Sequence, residues 1–185
     1  MTVWEIVNGR VNDVAGVGIP LAEQGNLRWW KKFGGDGEVL NWQRRPKLDL
    51  LITRGRTRPK PRADLSPFMP GALVLNAKAR DALGGFLAKF GQLLEVDVQG
   101  QVEFFYNVTN VVSCIDGDRS SRRPEGTIAS EVFDAASVPS EATVFKDPLN
   151  LGKIYVNDAG KHVLDGLVAA HGVTGLDFRQ AGITD

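Results

Sequence analysis

Two stretches of the sequence share one pattern: ALVLNAKARDALGGFL over residues 72–87 and KIYVNDAGKHVLDGLVAAH over residues 153–171. Each begins with a short apolar run typical of a strand, continues with an asparagine suited to cap a helix, and ends in apolar residues at helical spacing. At an offset of 81 residues, Asn76 aligns with Asn157. Since identities are few, we favour convergence on a common strand-cap-helix unit, and an internal duplication stays open.

Strand-like segments surround these two units. They are rich in β-branched and aromatic residues and span residues 47–54, 93–98, 102–108, 111–115, 127–133, 143–146 and 174–178. Gly84 and Gly85 are expected to end or kink the first helix. We therefore predict an α+β fold with a largely antiparallel or mixed sheet and two main helices. Residues 1–46, rich in glycine, are predicted to pack on this core (47–185) as a loop-rich segment.

Length and composition indicate a globular protein of one domain. The chain has 185 residues, of which 43% are hydrophobic and 24% charged. Cys114 is the only cysteine, which excludes an intramolecular disulfide. No stretch approaches the roughly 20 apolar residues that cross a bilayer. Residues 1–5 show no basic region before an apolar run, so we expect no signal peptide and a cytoplasmic location.

The sequence contains no strong catalytic motif. A phosphate-binding loop, a nucleophile elbow and a complete dinucleotide fingerprint are all missing. His162 and His171 are nine residues apart, so they lie on opposite faces of the second helix and cannot share a metal. We predict no enzyme, no metal and no cofactor. The weakest hypothesis, a small hydrolase, rests on Glu95, Asp97 and Glu103 sharing a face of adjacent strands.

Charge is balanced overall but unevenly distributed. Residues 1–62 carry twelve bases and six acids, and eight of those bases fall between residues 44 and 62. A basic run of this kind can bind nucleic acid, with neighbouring aromatic rings as stacking platforms. The residues of this alternative surface are Trp29, Trp30, Arg54, Arg56 and Arg58. A basic edge packed beside an acidic body explains the same pattern, and nucleic acid is the less favoured partner.

From about residue 48 to residue 178 the chain resembles a family of immunity proteins from bacterial polymorphic toxin systems, the family numbered eleven. No single motif is specific to this family, but the order in which several short segments follow one another is. The series consists of Leu48–Ile52, Asp64, Leu73–Asn76, Phe104–Val108, Val112–Asp116, Val144–Lys146, Ile154–Asn157 and Gly172–Phe178. Relatives often have serine before each helix, where this chain has asparagine. The family offers no defined functional residues to carry over.

The resemblance implies a cytoplasmic antitoxin that binds a cognate toxin, such as a secretion-system effector, and protects the producing cell. An inhibitor of a nuclease can present carboxylates where phosphates would lie. We therefore expect the toxin to contact the acidic residues of 116–147. These are Asp116, Asp118, Glu125, Glu131, Asp134, Glu141 and Asp147. The sequence leaves homodimerisation open.

Overall fold

A computed structural model of the protein describes residues 1–9, 13–23, 33, 35–52 and 57–184, and every structural statement below concerns these residues. The helices are α1 (Ala77–Leu87) and α2 (Asp158–His171), with a 3-10 turn at Leu21–Glu23. The strands are β1 (Val3–Asn8), β2 (Val17–Gly18), β3 (Lys47–Leu50), β4 (Leu65–Pro67), β5 (Leu73–Leu75), β6 (Gly91–Val98), β7 (Gln101–Val108), β8 (Ser121–Arg122), β9 (Ile128–Ser130), β10 (Val132–Phe133), β11 (Val144–Asp147), β12 (Asn150–Asn157), β13 (Leu176–Gln180) and β14 (Ile183–Thr184).

Two sheets form the framework. The first has four antiparallel strands in the order β11-β12-β1-β13. The second has six strands in the order β2-β3-β6-β7-β5-β4, in which only β3 and β6 are parallel. Both helices pack on one side of the two sheets. The core that the helices and sheets share includes Leu83, Tyr106, Ile154 and Leu164. The predicted α+β class, with two helices and largely antiparallel sheets, is confirmed.

The N-terminal segment contributes to the sheets themselves. Strand β1 lies inside the four-stranded sheet, where Trp4 pairs with Val156 on one side and Gln180 on the other. Later described residues of the segment lie on the core: Phe33 and Trp42 pack against Phe105 on the outer face of the six-stranded sheet. The segment is therefore partly an inner strand and partly a covering layer.

Two predicted strands are wrong in part. Residues 111–115 form no continuous strand, because the N–H groups of Cys114 and Ile115 donate to the Asp147 carboxylate instead of to a neighbouring strand. Only Val111 and Ile115 make isolated bridges there. The predicted strand over residues 127–133 is interrupted at Glu131, where β9 ends and β10 begins.

The two strand-cap-helix stretches belong to two larger units with the same topology. The first unit has the sheet order β4-β5-β7-β6 with α1, and the second has the order β11-β12-β1-β13 with α2. All neighbours in both units are antiparallel. Strand β1 therefore takes the place in the second unit that β7 takes in the first, although β1 comes at the other end of the chain.

Matching contacts occur at equivalent positions of the two units. The side chains of Asn76 and Asn157 each accept a hydrogen bond of 2.9 Å from the N–H three residues on. Gly71 and Gly152, again 81 residues apart, lie against each other: a Cβ on Gly71, whose φ is +69°, would be 2.8 Å from the carbonyl carbon of Gly152. Glycine at residue 71 therefore allows both the turn and the close approach of the two units.

Candidate functional site

The outer face of the four-stranded sheet is covered by residues 109–143, the cover segment. Its buried residues Cys114, Ile115, Phe133 and Val138 pack on the apolar side chains of that face. Burial, followed by the nearby Asp147 carboxylate, raises the pKa of Cys114 to about 12, so the thiol stays protonated at neutral pH. The predicted contact residues lie on this segment or directly beside it.

Two of the seven predicted contact acids are buried. Asp147 is 0% exposed and accepts hydrogen bonds from the N–H groups of Cys114 (2.8 Å) and Ile115 (2.7 Å). Glu131 is 4% exposed, and its Oε1 accepts from side chains of three strand residues: Asn150 (2.8 Å), Lys153 (2.5 Å) and Tyr155 (2.9 Å). Both acids hold the cover segment on the sheet, so a contact surface has to be built without them.

Asp116 and Asp134 lie on the outer side of the cover segment with ordered carboxylates. Asp116 accepts from the N–H groups of Asp118 and Arg119 (both 3.0 Å) and from Arg119 Nε (2.7 Å). Asp134 accepts from Ser137 Oγ (2.5 Å) and the N–H of Ala136 (3.1 Å). These bonds lower the pKa of both carboxyls, chiefly through Arg119 for Asp116 and Ser137 for Asp134. Both are therefore ionised and fixed in orientation at neutral pH.

Glu125 lies at the tip of the hairpin formed by β8 and β9. Its backbone N–H and the Thr127 hydroxyl lower the pKa of its carboxyl. The neighbouring cations brace the hairpin itself: Arg122 donates to the carbonyl of Gly126 (2.9 Å) and Arg123 to that of Ile128 (2.9 Å). The hairpin thus presents Glu125 on a stiff support.

Asp118 and Glu141 are the remaining exposed acids of the predicted surface. Asp118 lies beside Asp116, whereas Glu141 lies at the far end of the cover segment, where its carbonyl accepts from Thr143 Oγ1 (2.7 Å) and Asn157 Nδ2 (2.6 Å). The structure therefore groups Asp116, Asp118 and Asp134 and separates Glu141 from them.

A cleft of about 470 Å³ opens between β1 and the turn that joins β4 to β5. The turn contributes an apolar wall made of residues 67–70, Pro-Phe-Met-Pro. Glu5, Asn8 and Arg179 supply its polar groups. Apolar clefts with a few placed polar groups are the usual form of a binding site. Sequence reasoning missed this cleft, because strands from opposite ends of the chain form it.

An ionic network joins the cleft to the cover segment. Glu5 Oε2 accepts from Arg179 Nη2 at 2.7 Å and lies 3.5 Å from Lys153 Nζ, which also binds Glu131. Burial raises the pKa of Glu131, but hydrogen bonds from Lys153 and Tyr155 outweigh this effect, and the pKa lies below the ordinary value. The network thus holds two carboxylates and two cations along one face of the sheet.

The alternative basic surface is only partly visible. Trp29, Trp30, Arg54 and Arg56 lie outside the described residues, and Arg58 is exposed. Other bases of the same run are engaged inside the protein: Arg45 forms an ion pair with Glu95, and Arg62 binds both oxygens of the buried Glu103 carboxylate (2.8 and 2.7 Å). The basic run therefore packs in part against acids of the body.

The three carboxylates of the hydrolase hypothesis do not share a face. Glu95 pairs with Phe104 and therefore lies on the helix-covered side of the sheet, as does Asp97. Glu103 pairs with Val96 and lies on the opposite side, bound to Arg62. This expectation was wrong because the register of β6 and β7 pairs odd-numbered with even-numbered residues.

Lys146 is a second feature that sequence reasoning missed. Although it is a lysine, it is 1% exposed, and its ammonium donates to the carbonyls of Gly35 (2.7 Å), Gly71 (3.1 Å) and Leu151 (2.8 Å). Burial lowers the pKa of Lys146 to about 8. The side chain joins the covering layer of the six-stranded sheet to both units.

Within the described residues, no three His, Cys, Asp or Glu side chains converge closely enough to hold a metal ion. His162 and His171 are both exposed on α2. Neither helix has the length and apolarity needed to cross a bilayer.

No protein-family model matches the chain, and no curated protein matches it. The resemblance to immunity proteins therefore rests on the ordered series of residues quoted above.

Proposed function

We propose that this chain is a cytoplasmic immunity protein that binds a cognate polymorphic toxin and neutralises it. The proposal is carried by the carboxylates of Asp116, Asp118 and Glu125 on the cover segment, of which those of Asp116 and Glu125 accept hydrogen bonds that fix their positions. Groups that are already ordered lose little entropy on binding. The family resemblance supports the same conclusion.

The chemistry of this surface selects a basic partner. Carboxylates fixed on the surface of an inhibitor steer a positively charged protein into contact and accelerate association at low salt. A toxin that acts on nucleic acid needs a basic cleft for its substrate, so it fits this description. Protective binding requires a dissociation constant on the order of nanomolar or below.

The test is co-expression of this protein with the C-terminal domain of the large toxin-like reading frame beside its gene. We expect the toxin domain alone to stop growth, the pair to grow, and the two proteins to purify as one complex. The proposal would be contradicted if the toxin domain stopped growth and this protein neither restored growth nor formed a complex with it.

Charge reversal locates the surface. The triple variant Asp116→Lys, Asp118→Lys, Glu125→Lys should weaken toxin binding at least on the order of tenfold and flatten its salt dependence. The matched control reverses three exposed acids elsewhere, Asp49, Asp81 and Asp165. The double variant without Asp116 guards against local unfolding, since Asp116 orders its own loop. Equal affinity of triple variant and control would show that the toxin binds another surface.

A further inference from the structure

The two units join each other at two equivalent places, and one of these is closed by backbone hydrogen bonds. Beyond the end of β7, the carbonyl of Asn110 accepts from the N–H of Lys146 (3.0 Å), and the carbonyl of Lys146 accepts from the N–H of Val112 (2.8 Å). The chain leaving β7 is thereby paired with β11 of the other unit.

At the equivalent place, where β1 ends beside β4, the residues that the structure describes form no such pair of backbone hydrogen bonds. Leu65 and Val144 pair with equivalent residues, so Pro67 and Lys146 each lie two residues further along their strands, although the register of β11 shifts next to Lys146. Proline has no N–H and cannot donate the bond that Lys146 donates. The cleft of about 470 Å³ lies at this place, between β1 and the turn that follows Pro67.

Beside the cleft, the edge of β1 beyond Glu5 has no partner strand among the described residues. Pairing of β1 with β12 ends at Glu5 and Tyr155, while β1 continues to Asn8. Gly9 N–H donates to Gly175 and Ala181 N–H donates to Val3, so the odd-numbered residues of β1 turn their backbone groups toward β13. By strand alternation, the N–H and carbonyl of Asn8 face the opposite side, toward the cleft.

The other groups of the cleft suit an extended peptide with one apolar and one acidic side chain. Phe68 and Met69 offer an apolar wall. Arg179 is 66% exposed and binds Glu5 through Nη2, and its remaining N–H groups bond to none of the described residues. An incoming carboxylate can pair with these groups, while the peptide backbone pairs with Asn8 as an added strand does.

We infer that the cleft accepts an extended segment of the toxin, which adds to β1 at Asn8 and places an acidic side chain at Arg179. This inference rests on the proposed function for the identity of the partner. Lys153 links Glu5 of the cleft to Glu131 of the cover segment, and the inference has one partner contact both surfaces. The carboxylates of the cover segment then supply attraction, and the cleft supplies the anchor.

Amide hydrogen exchange tests the inference directly. In the complex with the toxin domain, the amide of Asn8 should exchange more slowly than in the free protein, because it becomes hydrogen-bonded. Two variants, Met69→Glu and Arg179→Gln, should each weaken toxin binding by at least about tenfold. The matched control is Val102→Glu, which introduces the same charge at an exposed valine at the far end of β7. Thermal unfolding of the free variants confirms that each is folded.

The outcomes separate this inference from the proposed function. Unchanged exchange at Asn8, together with wild-type affinity of both cleft variants, would overturn the cleft as an anchor and leave the immunity function standing. Absence of any complex between the wild-type protein and the toxin domain would overturn both. Protection at Asn8 with loss of affinity confined to the cleft variants supports the inference.

Discussion

The carboxylate of Asp64 links three parts of the chain. It accepts hydrogen bonds from Asn76 Nδ2 (2.9 Å), from the N–H and hydroxyl of Thr174 (2.8 and 2.9 Å) and from Lys78 Nζ (3.1 Å). Partial burial raises the pKa of Asp64, but these bonds outweigh it, and the pKa lies below the ordinary value of 3.8. The folded state therefore favours the ionised carboxylate.

This pKa shift predicts an acid-dependent loss of stability. The unfolded chain takes up the proton first as pH falls through 3.8, so the contribution of Asp64 is present above that pH and disappears as pH falls through the lower folded pKa. The variant Asp64→Asn should lose about 1–2 kcal/mol at pH 7, and on acidification below about pH 4 it should lose less additional stability than the wild type. Urea unfolding at stepped pH measures both.

The control for this prediction is Asp81→Asn, which removes an exposed carboxylate from α1. Its stability should stay within about 0.5 kcal/mol of wild type at pH 7. If Asp64→Asn lost as much stability on acidification as the wild type does, the carboxylate of Asp64 would not be the source of that loss.

At the scale of single residues, the type of amino acid was a poor predictor of burial. Glu131, Lys146 and Asp147 were read as solvent-facing or left unassigned, yet all three are buried. Their partners are backbone groups and side chains from distant segments, such as Gly35 for Lys146. A sequence pattern carries no record of such pairs, because burial of a charged group depends on partners that only the tertiary fold assembles.

Local sequence patterns predicted the two helices correctly. Asparagine caps both helices, as the two similar stretches suggested, and Gly172 follows the second helix in the left-handed conformation with φ of +57°. The expected break at Gly84 is absent, and α1 continues to Leu87. Gly84 is buried, and a Cβ there would be 3.1 Å from Leu93, so close packing on β6 compensates for low helix propensity.

The two caps should contribute unequally to stability. Asn157 is 1% exposed; its Oδ1 accepts from Gly160 and Thr143, and its Nδ2 donates to the carbonyls of Pro139 and Glu141. Asn76→Ala should cost about 1 kcal/mol, the usual value of an N-cap. Asn157→Ala should cost about 2–4 kcal/mol, because it also leaves buried groups without partners.

Urea unfolding of the two variants compares the caps, with exposed Asn41→Ala as the control. Equal losses at Asn76 and Asn157 would mean that the additional bonds of Asn157 add nothing to stability. A larger loss at Asn76 would reverse the expected order and point to Asp64 as the stronger support.

At the scale of the whole molecule, the sequence predicted the fold class and the pairing of strand, cap and helix, but not how the units are completed. Strand β1 has no sequence feature that assigns it to the second unit, because its partners β12 and β13 lie more than 140 residues away along the chain. Propensity and periodicity are local, whereas strand order is set by packing across the sheet. For the same reason the cleft beside β1 could not be predicted.

The equivalence of β1 and β7 predicts that β1 can follow β13 directly. Ala181 N–H donates to the carbonyl of Val3 at 2.9 Å, so the two ends of the described chain lie side by side. A circular permutant that joins residue 185 to residue 1 by a short Gly-Ser linker, and opens between residues 9 and 13, would give the second unit its strands in the order of the first. We expect this permutant to keep the far-ultraviolet circular dichroism spectrum of the wild type. Its free energy of unfolding should lie within about 2 kcal/mol of the wild-type value. A permutant with the same linker but opened between Gly84 and Gly85, inside α1, should fail to fold, because it cuts a helix that carries core residues on both sides of the break. If both permutants failed, the link from β1 to the rest of the N-terminal segment would be essential, and the two units would not be interchangeable in the order of their strands.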